Sequence, residues 1–322
     1  MVTPNVNQLR IIIRNILNTN KNWGVRLMTD DINILKHRQQ LPLEIKIGLS
    51  KQRIIQWYEH FKGQVYVSFS GGKDSTVLLH LARSIYPDIP AVFCDTGLEY
   101  PDIKEFVRST KNVITIKPDM PFNEVIEKYG WPVISKEQSQ FIHQYRVAKS
   151  EKTKKTRWFG NKWGRGKISE KWKYILNAPF KISDKCCDVM KKRPFHRFEK
   201  ESGLHPILGI MAAESSKRVQ DYNKTGCNAF DAKRPVSKPL GFWLDKDIYA
   251  YLRKYEVPYA KLYDRGYERT GCMFCLYGHH LSLEKGCNRL ELLERDYPKV
   301  FKYCMEKLGM KEVLKWYPKK QK

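Results

Sequence analysis

Val65-Tyr66-Val67-Ser68-Phe69-Ser70-Gly71-Gly72-Lys73-Asp74-Ser75-Thr76-Val77-Leu78-Leu79 is the stretch that decides the fold. Val65 to Phe69 is rich in β-branched and aromatic residues and reads as a short strand. Two glycines break it, and Thr76 to Ser84 reads as a helix with Val77, Leu78, Leu81 and Ile85 on its buried side. A strand handed to a helix through Ser-Gly-Gly is a physical unit for gripping anions. Glycines let backbone N–H groups approach a phosphate, the helix N-terminus adds partial positive charge, and serine hydroxyls donate further bonds. Lys73 adds a full charge. Asp74, in the first helical turn, could cap the helix or help hold Mg²⁺. The pattern is not a Walker loop, which carries GK followed by Ser or Thr after a longer glycine run. The bland alternative is a glycine turn that binds nothing.

Working outward, Ala91 to Cys94 reads as a second strand that ends in Asp95-Thr96-Gly97. Pro101 to Ser109 is a helix with proline at its start. Val113 to Ile116 is a third strand, Ile207 to Ile210 a later one, and Lys246 to Lys254 a helix. Upstream, Arg53 to Phe61 is a helix ended by Gly63, and Asn7 to Leu17 and Asp30 to Leu35 are short helical candidates. Strands alternating with helices imply right-handed crossovers and an α/β fold with a doubly wound parallel sheet. The expected organisation is an N-terminal helical segment over 1–50 and an ATP-binding domain over 51–250, with a basic insertion at 146–175. A helical C-terminal region over 251–322 carries a CxxC pair.

Ser70 to Ser75, within SFSGGKDSTVLLHLA and followed by FCDTGLEYPD, resembles the PP-loop adenine-nucleotide α-hydrolases. Within them it is similar to the phosphoadenosine phosphosulfate (PAPS) reductase-like group. Families with this loop usually cut ATP between the α and β phosphates. The resemblance implies that Ser70, Gly71, Gly72, Lys73, Asp74 and Ser75 hold the pyrophosphate. It also implies that Asp95, Thr96 and Gly97 line the nucleotide crevice, at the strand ends where open α/β sheets bind ligands. Gly209-Ile210-Met211-Ala212-Ala213-Glu214-Ser215-Ser216-Lys217-Arg218 is similar to the family's G-x-R-x-x-E-S-x-x-R segment, which recognises the nucleotide. Met211 stands where that pattern has its first Arg, which weakens the implied sulfonucleotide binding. Glu214, Ser215 and Arg218 remain candidate contacts, against the alternative of a capped helix start with surface charges.

The chain has 322 residues and a formal net charge of +25, from 59 Lys+Arg against 34 Asp+Glu. A field of that sign attracts polyanions, so a nucleic acid, tRNA or DNA, is an expected partner. Residues 146–173 carry eleven Lys/Arg and two Glu, interleaved with Trp158, Phe159, Trp163 and Trp172, and show no apolar period. They read as a basic loop or insertion. Either the cations meet phosphates while tryptophans stack on unpaired bases, or the loop is solvated and its tryptophans pack on the domain. No apolar run approaches the roughly 20 residues a membrane helix needs. With no leader pattern at the N-terminus, the expected location is the cytoplasm.

In a reducing compartment clustered cysteines point to metal or thiol chemistry. Cys186-Cys187 is an adjacent pair and Cys272-Met273-Phe274-Cys275 a CxxC. Four thiolates can complete a zinc or an iron–sulfur shell, and an adjacent pair sits more easily on a [4Fe–4S] cube. The stretch from Lys238-Pro239-Leu240-Gly241-Phe242-Trp243 through Gly271-Cys272-xx-Cys275 is also similar to adenosine phosphosulfate (APS) reductases, which pair CC with a distant CxxC around such a cluster. The similar segments cover about residues 60–140 and 182–280. Cys94 reads as a core residue. Cys227 and Cys287, each after a glycine, and Cys304 are structural or working thiols. Arg269 could contact phosphate, tune the cluster or equally pair with a nearby carboxylate, and His279-His280 reads as a surface or packing pair.

Three functions follow. The first is an ATP-dependent iron–sulfur sulfurtransferase on a nucleic acid, with Lys73, Asp74 and Arg218 as candidate catalytic residues, using ATP, Mg²⁺ and a [4Fe–4S] cluster (zinc as the alternative). A cysteine desulfurase or another sulfur or electron donor would be its partner. The intact SGGKDS loop and the basic charge favour it. The second is an APS or PAPS reductase. The CC/CxxC pattern favours it, but the tail around Trp316-Tyr317-Pro318 lacks the family's E-C-G-x-H-type motif. The third is a non-catalytic ATP- or nucleic-acid-binding subunit. An ATP sulfurylase small subunit is a related enzyme that does not need the four cysteines.

Overall fold

The structure, a computed structural model, describes residues 27–317 apart from Arg269, Lys285 and Cys287, with side chains described from Ile34 onward. The candidate helix at Asn7 to Leu17 lies outside these residues. In chain order come α1 (Leu27–Gln40), α2 (Leu43–His60), β1 (Val65–Ser68), α3 (Lys73–Arg83), β2 (Ala91–Cys94), α4 (Pro101–Ser109) and β3 (Val113–Ile116). Next are α5 (Phe122–Tyr129), β4 (Val133–Ile134), α6 (Lys136–Val147), α7 (Glu151–Phe159), a 3₁₀ stretch at Glu170–Asn177 and a π-helical turn at Asp188–Lys192. Then follow α8 (Arg193–Ser202), β5 (His205–Leu208), α9 (Ser216–Thr225), β6 (Asn228–Ala229), β7 (Val236–Ser237) and α10 (Asp245–Lys254). The C-terminal part holds β8 (Leu276–Tyr277), α11 (His279–Glu284), α12 (Arg289–Asp296), α13 (Pro298–Lys302) and α14 (Met310–Leu314).

The main sheet runs β3-β2-β1-β5-β7-β6. All its pairings are parallel except β6 with β7. Strand order reverses between β1 and β5, so the C-terminal edge of β1 lies at a topological switch point, where doubly wound sheets open a crevice. Val65, Val67, Ala91 and Ile207 are fully buried in the sheet, with Val77, Leu78 and Leu81 of α3 packed on it. Trp57 and Ile54 of α2 close the same core. The expected doubly wound α/β architecture is therefore present.

A second, two-stranded sheet pairs β4 with β8 in parallel. Trp131, just before β4, bridges Ile182 in parallel. Gly130 makes this crossing possible: a Cβ there would lie 2.4 Å from the carbonyl carbon of Lys181. Cys186-Cys187 follows one of these pairings and Cys275 precedes the other. Backbone hydrogen bonding thus draws the two cysteine pairs to the same end of the molecule.

The basic segment is only partly loop: residues 160–169 are irregular, but helical stretches flank them. Glu151–Phe159 forms a helix packed beside α6, though none of its residues is buried. An apolar stripe is replaced by Arg157, which donates to Gln144 Oε1 and Gly166 O, both at 2.7 Å, and stacks on Phe141 at 4.4 Å from the ring centre. A long cation can cover apolar surface with its stem and ring-facing plane, so no apolar period is needed. Among the described residues no helix is long and apolar enough to cross a membrane.

Candidate nucleotide and thiol site

The phosphate loop closes on itself through its serines. Ser70 N–H donates to Ser75 Oγ at 3.2 Å, Gly72 N–H to Ser70 Oγ at 3.3 Å, and Ser75 Oγ to Gly72 O at 2.9 Å. Gly71 has φ +71°, and a Cβ there would lie 2.8 Å from Ile103 Cγ2 on α4, so no other residue fits the turn without strain. Lys73 begins α3. Its ammonium is nearly buried and is held by Asp74 Oδ1 at 2.8 Å and Asp245 Oδ1 at 2.6 Å. Burial opposes its charge, but the two carboxylates outweigh that and raise its pKa above the usual lysine range. Burial also raises Asp74, which Lys73 only partly offsets. Asp245 was not foreseen. It lies 172 positions from Lys73 and stands at the start of a helix, where an acid needs no functional reason.

The crevice edge after β2 is equally ordered. Asp95 accepts from Gly97 N–H at 3.0 Å and pairs with Lys104 at 2.8 Å. Burial opposes its charged form, but Lys104 and the Gly97 N–H prevail and hold the carboxyl below its ordinary range. Thr96 is fixed by Glu99 through its backbone N–H at 3.0 Å and its hydroxyl at 2.6 Å. Across the switch point, Glu214 accepts from Met211 N–H at 2.9 Å and pairs with Arg218. Ser215 caps α9 by accepting from Arg218 N–H at 3.3 Å. The capped-helix account of this segment is thus realised, yet Glu214 lies close enough for its charge to raise Asp74.

The cysteines meet this loop rather than forming a separate site. Met273 N–H, inside the CxxC, donates to Leu98 O at 2.9 Å, directly after Asp95-Thr96-Gly97. Thr270, two residues before Cys272, shares a 2.8 Å hydrogen bond with the Tyr263 hydroxyl, which accepts from Lys73 N–H at 2.9 Å. On the other side, Cys94 Sγ donates to Met190 O at 3.3 Å, tying the end of β2 to the turn that follows Cys186-Cys187.

The four sulfurs sense one another. Burial raises Cys186 well above the ordinary thiol range, and Cys187, Cys272 and Cys275 raise it further. Burial and Cys272 raise Cys187, and the same two causes push Cys275 up to about 12. The charge of Cys272, first, then Glu99 and Cys187 raise the Lys191 pKa against the opposing effect of burial. Among the described residues no three His, Cys, Asp or Glu side chains already stand as a closed metal-ligand set. The donor chemistry nevertheless fits a metal centre. Cys186 is buried and Cys187, Cys272 and Cys275 are half-buried; thiols grouped in this way resist losing their protons together unless positive charge comes between them, and a zinc or iron–sulfur centre supplies that charge.

Residues 64–277 match the model of the phosphoadenosine phosphosulfate reductase domain. The chain belongs to the PAPS reductase family. Its relatives in the family include an APS reductase of Geobacillus kaustophilus, 25% identical and covering 69% of this chain and 77% of that one. An uncharacterized Methanocaldococcus jannaschii protein is 28% identical over 76% of this chain and 41% of its own. The chain spans less than half the length of that relative and of a second one from the same organism, at 41% and 44%. Among solved structures, PAPS reductase from Candida auris aligns at TM-score 0.41 and 19% identity, over 74% of this chain and 93% of that one. The U34-tRNA thiolase NcsA from Methanococcus maripaludis, solved with its [4Fe-4S] cluster, aligns at TM-score 0.38 and 14% identity, over 87% and 83%.

In this PAPS reductase family member the other described cysteines are inward. Cys94, Cys227 and Cys304 are buried and free of disulfides. Cys304 Sγ rests on Met310 Sδ at 3.5 Å, and burial lifts its thiol to about 12. Cys287 and Arg269 lie outside the described residues. His279 is buried against Tyr317, and His280 stands edge-on to Trp172, which agrees with packing roles.

Proposed function

We propose that this chain cleaves ATP to AMP and pyrophosphate in order to activate an acceptor for sulfur transfer, and that the acceptor is a nucleic acid. The observation that carries this reading is the continuity of the two sites. The hydrogen-bonded path Lys73–Tyr263–Thr270 and the Met273–Leu98 bond hold the CxxC against the nucleotide crevice.

In this reading Ser70, Gly71, Gly72 and Ser75 cradle the β and γ phosphates, and Lys73 turns from its carboxylates to the developing pyrophosphate. Asp74 and Asp245, relieved of that pairing, would hold Mg²⁺. An acceptor oxygen attacks the α-phosphorus as the α–β bridge breaks, giving an adenylated acceptor and pyrophosphate. A sulfur nucleophile then displaces AMP from the acceptor carbon, and the electron pair leaves on the AMP oxygen. Arg218 and Glu214 bound the nucleotide from the β5 side. Cys186, Cys187, Cys272 and Cys275 would hold a [4Fe–4S] cluster, which when bound supplies a soft site for sulfur or electrons beside the crevice. Lys191 keeps a cation against Cys272 there.

Sulfonucleotide reduction is the second reading, favoured by the family and by the APS reductase relatives. It needs an accessible working thiol. Among the described residues, Cys94, Cys227 and Cys304, the cysteines outside the two pairs, are buried. The deciding experiment uses anaerobically purified protein. Iron and sulfide are counted, and pyrophosphate release from ATP is followed with and without bulk tRNA and DNA. Release stimulated by one nucleic acid is expected. Iron-loaded protein that leaves ATP intact but forms sulfite from APS or PAPS would overturn the proposal in favour of the reductase.

A further inference from the structure

The basic insertion and the C-terminal tail together build a cleft that the phosphate loop and the thiols do not use. Its volume is about 640 Å³, in the range that seats a nucleotide-sized group. Its walls are aromatic: Trp172, Tyr174 and His280 from one side and Trp316 from the other. Tyr174 Oη donates to Trp316 O at 2.9 Å and so pins insertion to tail. Tyr174 is 42% exposed, a large aromatic surface left open at the mouth. Two exposed lysines, Lys171 and Lys315, line the cleft with Glu284, and Lys315 also pairs with the exposed Glu312 at 2.7 Å. Trp163 and Phe159 of the same insertion are 70% and 69% exposed, in a stretch with eleven cations and two acids.

The cleft is also tied to the thiol end of the molecule. Tyr317, at its base, hydrogen-bonds through its hydroxyl to Ile134 N–H at 2.7 Å and Leu276 O at 3.2 Å, bridging β4 and β8 directly beside Cys275. An occupant therefore sits on the lobe that presents the cysteines.

We infer that this cleft seats an unpaired nucleobase of a single-stranded nucleic-acid segment, stacked on Tyr174 and Trp316 with its flanking phosphates on Lys171 and Lys315. Flat aromatic walls accept any base through its π face, while cations along the rim follow the backbone. A duplex keeps its bases inside and cannot use the walls. This inference deepens the proposed function by naming where the acceptor strand is held.

The test is fluorescence anisotropy of a labelled, unstructured single-stranded oligonucleotide, in RNA and DNA forms, against a blunt duplex of the same length. The proteins are the wild type, Tyr174→Ala and the double charge reversal Lys171→Glu/Lys315→Glu. All three residues are exposed, and circular dichroism with a thermal midpoint checks the fold. Tyr174→Ala is expected to weaken single-strand binding about tenfold while leaving duplex binding unchanged. The charge reversal is expected to lower the salt slope of binding by about one or two phosphate contacts. Equal single-strand binding by folded variants and wild type, or no preference over duplex, would overturn the inference. ATP cleavage without nucleic acid is measured in parallel and should not change in the variants. Single-strand binding that depends on the cleft in a protein that never cleaves ATP would sink the proposed function and leave this inference standing.

Discussion

The hydroxyl of Tyr263 accepts the backbone N–H of Lys73 at 2.9 Å and is shared with Thr270 at 2.8 Å. The Lys73 N–H is one of the orphan donors at a helix start, the kind of group that binds a phosphate. In this structure a tyrosine holds it, and the same tyrosine holds the residue two positions before Cys272. A phosphate that takes this N–H must displace Tyr263 and release Thr270. Tyr263→Phe is therefore expected to tighten ATP or pyrophosphate binding about fivefold, the worth of one net hydrogen bond of roughly 1 kcal/mol. Isothermal titration with pyrophosphate reads this directly. Weaker binding would instead mark the Tyr263 hydroxyl as a phosphate ligand.

Lys73 and Asp245 give a second prediction. The ammonium is neutralised by two carboxylates, so its positive charge reaches a phosphate only when they let go. Lys73→Met should lower pyrophosphate release on the order of 10²-fold or more, as loss of a preorganised donor does. Asp245→Asn keeps the shape and frees the cation, so nucleotide binding without Mg²⁺ should tighten while the Mg²⁺ requirement sharpens. Unchanged metal dependence in Asp245→Asn would remove Asp245 from the site.

Replacing a thiol tests the metal centre without relying on activity. Cys272→Ser and Cys187→Ser, one from each pair, are each expected to lose most of the iron and sulfide carried by anaerobically prepared protein, together with its visible absorbance. Cys227→Ser and Cys304→Ser, which alter buried thiols away from the four, should keep them. A zinc content that tracks Cys272 and Cys187, with no iron, would replace the cluster by a zinc site.

The strand edges and the glycine turn after β1 are legible in the sequence because their signals are local. Ala91 to Cys94, Pro101 to Ser109 and Val113 to Ile116 fall where periodicity and proline placed them. The apolar period marks the helix only from Thr76, whereas the helix begins at Lys73, with Asp74 in its first turn. Ile207 to Ile210 shifts to His205–Leu208 because pairing with β1 at Val65↔His205 sets the register. What stayed hidden joins distant positions. Tyr263, Asp245 and Lys191 owe their roles to partners far away or across a turn, and nothing beside them in the chain signals it. Helix Glu151–Phe159 was missed because a cation over Phe141 does the work of an apolar stripe.

Lys46 and Asp247 supply a stability prediction. Their 2.6 Å pair is buried and joins α2 to α10, with Lys46 also donating to Gln39 O at 2.8 Å and Asp247 accepting from Leu244 N–H at 2.8 Å. Lys46→Met strands a buried carboxylate and should cost about 3–5 kcal/mol, whereas Lys46→Met/Asp247→Leu should recover much of it. Urea midpoints of both variants measure this. A single variant as stable as the wild type would show that water reaches Asp247.

His279 makes stability depend on pH in a defined window. Its side chain is buried, its Nδ1 has no hydrogen-bond partner among the described residues, and burial first, then Arg289 and His280, lower its pKa to about 4. In the unfolded chain the value returns to about 6.5. Between these values the unfolded state binds more protons than the folded one, so stability falls as pH drops from about 6.5 towards 4 and is flat above that window on this account. The full difference is worth up to about 3 kcal/mol. His279→Phe keeps an aromatic ring against Tyr317 and removes the titrating group. Urea unfolding of wild type and variant at pH 7.5, 6 and 5 should therefore show the two converging or crossing as pH falls, with the wild type losing more. Parallel losses in both proteins would mean that His279 is already protonated in the folded state, or that its site admits water freely.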